Sequence, residues 1–210
     1  MAENQDFSRT PGTLRPRSGE SFDPLYASAP PPWDINRPQP ALLELAASGL
    51  LVGSVLDVGC GTGEHALMAA AAGHEAYGID LAAGAIAIAR RKALEQQLAV
   101  DFVVGSALEL PSLNHQFDTV LDSGLFHVFE DADRQRFAAS LGAVLRPGGR
   151  YYMLCFSDRQ RGDWGPRRLT EREIHAIFTG SSWRVESIVP ARMELAVGGA
   201  LAWFAAIARR

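Results

Sequence analysis

The sequence predicts an α/β domain: a mostly parallel β-sheet with helices on both faces, closing on one antiparallel strand. Three observations carry this. Short, near-continuous apolar runs alternate with helix-patterned stretches over residues 54–156, as strands buried on both faces do. The string Gly59-Cys60-Gly61-Thr62-Gly63 joins the first of these runs directly to a helix. Two C-terminal apolar runs, 183–195 and 200–208, flank Gly198-Gly199 and predict a hairpin.

Composition sets the bounds. A chain of 210 residues suits one domain with a full core. Apolar residues make up 47% and the net charge is −4, so no basic surplus exists to neutralise phosphates, and nucleic acid is not expected as a partner. No apolar run reaches membrane-spanning length, and the N-terminus lacks an apolar signal core. The two cysteines, Cys60 and Cys155, form no spaced framework, which suits a reducing compartment. The expectation is a cytoplasmic protein without a membrane partner, acting as a monomer or homodimer.

Residues 1–20 carry Pro, Arg, Ser, Gly and Thr without apolar periodicity and predict a disordered tail. Over 21–40, Phe22, Leu25, Tyr26 and Trp33 are interrupted by prolines, which remove donors and fix the backbone. This stretch is therefore neither helix nor strand, and its aromatics predict a lid folded back over the domain that occupies 41–210. A short helix follows at 41–48, with Leu42, Leu43 and Leu45 as its apolar face and Gly49 as its stop. The first strand is 54–58, and the helix after the glycines runs from about 62 to 72, ended by Gly73. The second strand is 75–80. An alanine-rich helix covers 82–97, with Ile86 and Ile88 inward and Arg90, Arg91 and Lys92 late, where they suit the helix dipole. Strands are predicted at 100–104, 117–122 and 150–156, and a helix at 131–145 closed by Arg146-Pro147-Gly148-Gly149. A last helix, 170–179, opens with a capping box from Thr170 to Glu173.

The glycine string carries the chemistry. Glycine at every second position permits left-handed backbone and lets a ligand lie against the amides of a helix N-terminus. Asp80, seventeen residues beyond Gly63 at a strand end, can take both hydroxyls of a ribose. Together they predict a nucleoside-cofactor cradle. A dinucleotide site would ask for glycine where Glu64 stands, and a P-loop would need a lysine after the glycines. Asp57, two residues before the first glycine, and Ser106-Ala107, after the third strand, strengthen the cradle reading.

On these motifs the chain resembles the class I S-adenosylmethionine-dependent methyltransferases, from about residue 42 to 209. The resemblance implies a Rossmann-like seven-stranded sheet of order 3-2-1-4-5-7-6 with the seventh strand antiparallel. It implies S-adenosyl-L-methionine as cofactor, S-adenosyl-L-homocysteine as product, and no metal. Carried over, Gly59, Cys60, Gly61 and Gly63 hold the methionine part, with Asp57 in the same set. Asp80 binds the ribose and Leu81 packs on the adenine, while Ser106, Ala107 and Leu108 line its pocket. Asp122 and Ser123 face the sulfonium end. Plainer roles stand beside these: Asp80 as a helix cap, Ser106 as a turn residue, and Cys60 as a small packing residue.

The acceptor follows from Asp122-Ser123-Gly124-Leu125-Phe126-His127-Val128-Phe129. It lacks the Asn/Asp-Pro-Pro-Tyr of amino-methylating DNA enzymes, and the chain lacks the Pro-Cys of cytosine-methylating ones and the paired glutamates of protein-arginine ones. Asp122 and Glu130 are too few ligands for a metal-dependent catechol enzyme. A small apolar acceptor remains, with Phe126, Phe129, Trp33, Tyr26 and Trp164 as candidate walls, some of them equally candidates for the core. His127 is placed to remove a proton from a phenol, hydroxyl or thiol, or to position the nucleophile; the plainer role is a hydrogen-bonded structural histidine. His65, His74, His115 and His175 are expected at the surface without acidic partners.

Residues 31–40 resemble the Pro-Trp-Asp-x-Gly-x-Pro-x-Pro lid of thiol, thiopurine and halide methyltransferases, with Asn36 where glycine is usual. They resemble still more the bacterial enzymes that methylate phenols, quinones and heterocyclic toxins. Those also carry Asp-Ser-x-Leu-Phe-His, here 122–127, and Gly-Pro-Arg-Arg, here 165–168. By this resemblance Trp33 closes over the cofactor and Arg37 approaches its carboxylate, or else Arg37 is a solvated surface charge. The loop 157–168, with Trp164, forms the other pocket wall. The implied activity is methyl transfer to oxygen, with nitrogen and sulfur as the other candidates, on a small aromatic or heterocyclic molecule. A thiol or halide methyltransferase, an aminopropyl transferase and a non-catalytic cofactor-binding protein are the alternatives.

Overall fold

The computed structural model describes residues 30–162 and 164–210; the expected tail, and Phe22, Leu25 and Tyr26, lie outside the described residues. Helix α1 (Pro40–Ala47) precedes β1 (Val55–Val58), α2 (Glu64–Ala71), β2 (Ala76–Asp80), α3 (Ala83–Glu95) and β3 (Val100–Val104). Then come β4 (Phe117–Ser123), α4 (Asp131–Val144), β5 (Leu145–Phe156), α5 (Glu171–Ile177), β6 (Trp183–Glu194) and β7 (Gly199–Arg209). Two 3-10 turns, Ala107–Leu113 and Phe126–Val128, flank β4.

The strands form one sheet of order β3-β2-β1-β4-β5-β7-β6. Neighbours from β3 to β5 are parallel, and β7 runs antiparallel to both β5 and β6. This is the order the resemblance implied. All four residues of β1 are buried, so a continuous apolar run is what its two covered faces require. Alternation along β5 sends Tyr151 and Met153 to one face and Tyr152 and Leu154 to the other. The larger core lies under α4 and α5, where Phe126, Phe137, Leu141, Ile174, Phe178 and Trp203 meet. On the opposite face Leu42, Leu45, Ala69 and Tyr152 form one cluster, and Leu67, Ile86, Ala89 and Phe102 another.

Several boundaries differ for local reasons. Helix α2 starts at Glu64 because Gly63, its N-cap, is left-handed at φ 89°. Helix α3 stops at Glu95, and Gln97 turns left-handed at φ 55°. Leu43 is exposed and Ile88 only half-buried, because Leu42 with Leu45, and Ala85 with Ile86 and Ala89, already fill the inward stripes. The fifth strand begins early: Leu145 pairs with Phe117, then the register jumps to Arg150 opposite Thr119, looping 146–149 out of the ladder. The capping box is present, with Thr170 Oγ1 accepting from Glu173 N–H and the Glu173 carboxylate accepting from Thr170 N–H. Among the described residues no helix is long and apolar enough to cross a membrane.

Candidate active site

Where β1 ends, Gly59, Gly61 and Gly63 all take positive φ, at 64°, 52° and 89°. The turn is tied to the neighbouring strand by Cys60 N–H to Ile79 O, 3.0 Å, and by Gly61 N–H to Asp80 Oδ2, 2.8 Å. The other oxygen of Asp80 accepts from Ala82 N–H at 2.8 Å, ahead of α3. Asp80 thus locks the cradle to the next helix. Ser106 Oγ accepts from Leu108 N–H and opens a 3-10 turn, with Ala107 buried beside it and Leu108 against the main core. Leu81 is half-buried. The Cys60 thiol is buried and burial pushes its pKa well up, so it packs as an un-ionised group.

Below the turn, Asp57 is 1% exposed. It accepts from Ala66 N–H, yet its Oδ2 has no hydrogen-bond partner, and desolvation raises its pKa well above the carboxylate range. The nearest cation-capable group is His65, whose Nδ1 lies 3.8 Å away. His65 Nε2 accepts from Gln39 N–H at 3.1 Å, so the proton of the neutral ring sits on Nδ1, facing Asp57. Burial lowers this histidine to about 4. His65 is therefore neither superficial nor without an acid. The expectation failed because the residues that cover it, 31–39, come from a distant part of the chain.

Those residues form a strap across the cradle. Asp34 N–H closes a turn on Pro31 O, and Asn36, left-handed at φ 52°, donates its N–H to Asp34 Oδ1. Asparagine tolerates the angle that glycine would take freely. Asp34 Oδ2 accepts from Thr62 Oγ1–H at 2.9 Å. Gln39 exchanges two bonds with the Glu194 backbone, at 2.9 and 2.8 Å, and Ala196 N–H donates to Pro32 O at 2.8 Å. Arg37 pairs with the Glu194 carboxylate, so its charge is answered within the protein. Between strap and turn lies a cleft lined by Trp33, Ile35 and Arg37 on one side and Gly59, Cys60, His65 and Ser123 on the other.

At the end of β4 the structure separates two residues expected together. Ser123 lines the cleft. Asp122 is fully buried: Oδ1 accepts from Leu125 N–H at 2.7 Å, and Oδ2 from Tyr151 Oη–H at 2.6 Å and Phe126 N–H at 3.1 Å. Desolvation lifts its pKa to about 6, against the pull of these bonds. It folds the turn rather than facing the cleft. Phe126 and Phe129 are also core residues, packed among Phe137 and Phe178 with tilted rings whose centroids lie 5.3–6.0 Å apart, not pocket walls. A 3-10 turn has no long periodicity to show which way its side chains face.

His127, in that turn, is buried, and its Nδ1 accepts from Phe156 N–H at 2.9 Å. Burial and the nearby Arg134 charge lower it to about 3. The ring is neutral and carries its proton on Nε2, which lies 3.4 Å from where a Cβ on Gly124 would stand, with Met193 Cε beside it. Phe156 meets His127 edge-on at 5.1 Å and Trp164 at 5.6 Å. Leu154, Phe156, Met193, Ala200 and Ala202 cluster here with Trp164 packed on them, one residue past Ser123. Phe156, Met193 and Gln39 escaped the sequence reading. Strand parity in β5 and β6 was a signal for the first two; nothing local marked Gln39.

A strand running into a three-glycine turn, an acid at the next strand end and this sheet order define a methyltransferase of class I. The chain belongs to the class I S-adenosylmethionine-dependent methyltransferases. Residues 55–149 match the family model described as a methyltransferase domain. Over 173 residues the chain is 36% identical to 2-heptyl-1-hydroxyquinolin-4(1H)-one methyltransferase of Mycobacteroides abscessus, covering 81% of this chain and 76% of that relative. It is 26% identical over 189 residues to probable thiol methyltransferase 2 of Arabidopsis thaliana, covering 86% and 80%. A solved structure concerned with converting a disulfide bond into a thioacetal group during echinomycin biosynthesis matches with a TM-score of 0.82 at 34% identity, covering 90% of this chain and 91% of the other. Magnesium protoporphyrin IX methyltransferase from Synechocystis, with bound S-adenosylmethionine, shares the fold at TM-score 0.64 and 19% identity, covering 81% and 76%.

The residues present fit the cofactor of that family. The partnerless, buried Asp57 oxygen suits a cationic amine, and Gly59, left-handed and only 3.1 Å from Leu125 at its missing Cβ, keeps the turn open where a side chain would crowd it. When bound, S-adenosyl-L-methionine supplies an activated methyl group on sulfur.

Proposed function

We propose that the methyl group goes to a hydroxyl oxygen of a small aromatic heterocycle, of the kind the M. abscessus relative is named for. The observation that carries this is the apolar wall of Phe156, Trp164 and Met193 beside Ser123, with the His127 ring set into it. A flat apolar acceptor suits such a wall, and the acceptor the relative is named for is a hydroxylated bicyclic heterocycle. In this reading Asp57 holds the ammonium of the cofactor, and Gly59 to Gly63, Cys60 included, present amides to its methionine part. Asp80 takes the ribose hydroxyls, since each carboxylate oxygen accepts more than one bond. Leu81, Ser106, Ala107 and Leu108 border the adenine. Trp33 closes the cleft from the strap, while Arg37, paired with Glu194, holds that strap down. The protein's contribution is proximity, alignment and exclusion of water.

A thiol acceptor is the second reading, favoured by the likeness to thiol methyltransferase 2 along most of both chains. Purified enzyme is given labelled cofactor and a panel of 1-hydroxyquinolin-4(1H)-ones, phenols, thiols and heterocyclic amines. Turnover is expected on the heteroaromatic hydroxyls. Labelling confined to thiols or amines would overturn the oxygen assignment.

A further inference from the structure

We propose, building on the hydroxyl-acceptor reading, that the acceptor enters as its own conjugate base and that His127 binds it as a hydrogen-bond donor. The enzyme then selects acidic hydroxyls and supplies no general base.

The first ground is the tautomer. His127 Nδ1 is occupied by the N–H of Phe156 at the end of β5. To act as a base at Nε2 the ring would need its proton on Nδ1, opposite a buried N–H, placing donor against donor. The neutral ring therefore offers a donor on its free side. Burial and Arg134 keep the ring neutral through the working pH range.

The second ground is the set of titratable groups on the elements around the ring. From β4, Asp122 has both oxygens occupied. From β5, the Tyr151 hydroxyl donates to Asp122, and the Cys155 thiol is pushed far up by burial. From α4 comes a cation, Arg134, 2% exposed, whose Nη1 pairs with Asp131 at 3.1 Å while its Nε and Nη2 have no hydrogen-bond partners. From the end of β6, Glu194 pairs with Arg37. From the loop before α5, Arg168 donates to Trp164 O. In the glycine turn the Cys60 thiol is un-ionised, and His65 Nε2 is taken by Gln39. Of the carboxylates about the cleft, Asp34 bonds Thr62, Glu64 pairs with Lys92, and the partnerless Asp57 oxygen is the one that the hydroxyl-acceptor reading gives to the cofactor ammonium. The His127 N–H donor stands ready for a negative oxygen, with the Arg134 charge close enough to act on the ring.

The chemistry then balances without the protein's acids or bases. The hydroxyl gives its proton to bulk water before entry. Its oxygen lone pair forms the new O–C bond as the C–S bond breaks. That bonding pair goes to sulfur, leaving a methyl ether and a neutral thioether. The apolar wall strips water from the anion, and the His127 N–H aligns it.

The test uses whole enzyme saturated with S-adenosyl-L-homocysteine, so that no turnover occurs. A 1-hydroxyquinolin-4(1H)-one is added and its anion absorption band is followed against pH. The bound hydroxyl is expected to titrate about one unit lower than the free one, a tenfold change, as one charge-assisted bond would give. The shift is expected to vanish in His127→Ala and to persist in His127→Asn, whose amide both accepts and donates. In parallel, wild-type kcat/KM is measured across phenols of graded acidity, and its inflection should follow each acceptor's own pKa. A bound probe that stays neutral while it is methylated normally, or one common inflection for every phenol, overturns this inference alone. Thiol turnover with no methylation of any hydroxyl overturns the acceptor reading and this inference with it.

Discussion

Gly63 and Gly59 sit four residues apart in one turn and do different jobs. A Cβ on Gly63 would lie 2.6 Å from the Phe102 ring and 2.9 Å from Ala89, at φ 89°. A Cβ on Gly59 would first meet the Leu125 side chain, at 3.1 Å, beside the cleft. Gly63→Ala combines left-handed strain with overpacking, and roughly 2–4 kcal/mol of stability should be lost. Gly59→Ala is expected to lose less stability, because Leu125 can move, but to weaken S-adenosyl-L-homocysteine binding more. Urea midpoints and calorimetry on both variants check this; equal midpoints would remove the packing role of Gly63. The glycines were legible because their spacing is local. Which one packs and which one cradles was not, because Phe102 and Ala89 arrive from β3 and α3. His65, Phe126 and Phe129 were misplaced for the same reason: their burial is decided by partners far along the chain.

Among the elements, the strap joins sequence to site most directly. Prolines at 31, 32 and 38 forbid helix and strand before α1, and Trp33 wants cover, so a fold-back was legible. Where it docks was not, because docking runs through the backbone of Glu194 and Ala196 at the β6–β7 hairpin. Gln39 is 3% exposed and makes both side-chain bonds to Glu194. Gln39→Ala leaves the Glu194 N–H and C=O without those partners, which should cost about 1–3 kcal/mol and let the strap open more often. Faster amide exchange at Glu194 and Ala196, and several-fold weaker homocysteine-product binding, are the expected readouts. Unchanged exchange at both amides would show that the strap is held elsewhere. The early start of β5 is a similar case: Pro147-Gly148-Gly149 correctly marks a break, but one that the ladder bridges on both sides.

Across the whole molecule, buried ionisable groups oppose one another in pH. His65 and His127 stay neutral in the fold, lowered to about 4 and about 3 from 6.5. As pH falls below 6.5 the unfolded chain takes up these protons and the fold does not, so each histidine removes roughly 1 kcal/mol of stability per pH unit. Asp122, raised to about 6, and Asp57, raised well above 3.8, act in the opposite sense. Between pH 6 and 4 the folded chain holds the Asp122 proton while the unfolded chain stays ionised, so Asp122 adds roughly 1 kcal/mol per unit on acidification, and Asp57 acts in the same direction. These gains offset part of the loss from the histidines, to which Asp118, Glu173 and Glu186, all held below their ordinary values, add as the pH falls. Asp122→Asn removes one gain. Its lost hydrogen bonds lower stability at every pH, but only the missing titration changes the slope. Urea midpoints at half-unit steps from pH 6.5 to 4 should fall more steeply with acid for the variant than for wild type. His127→Asn should tilt the other way, losing less stability than wild type as the pH drops. Parallel curves for all three proteins would mean that these groups titrate alike in the folded and unfolded chains, and that the neutral state of His127 is not enforced by the fold.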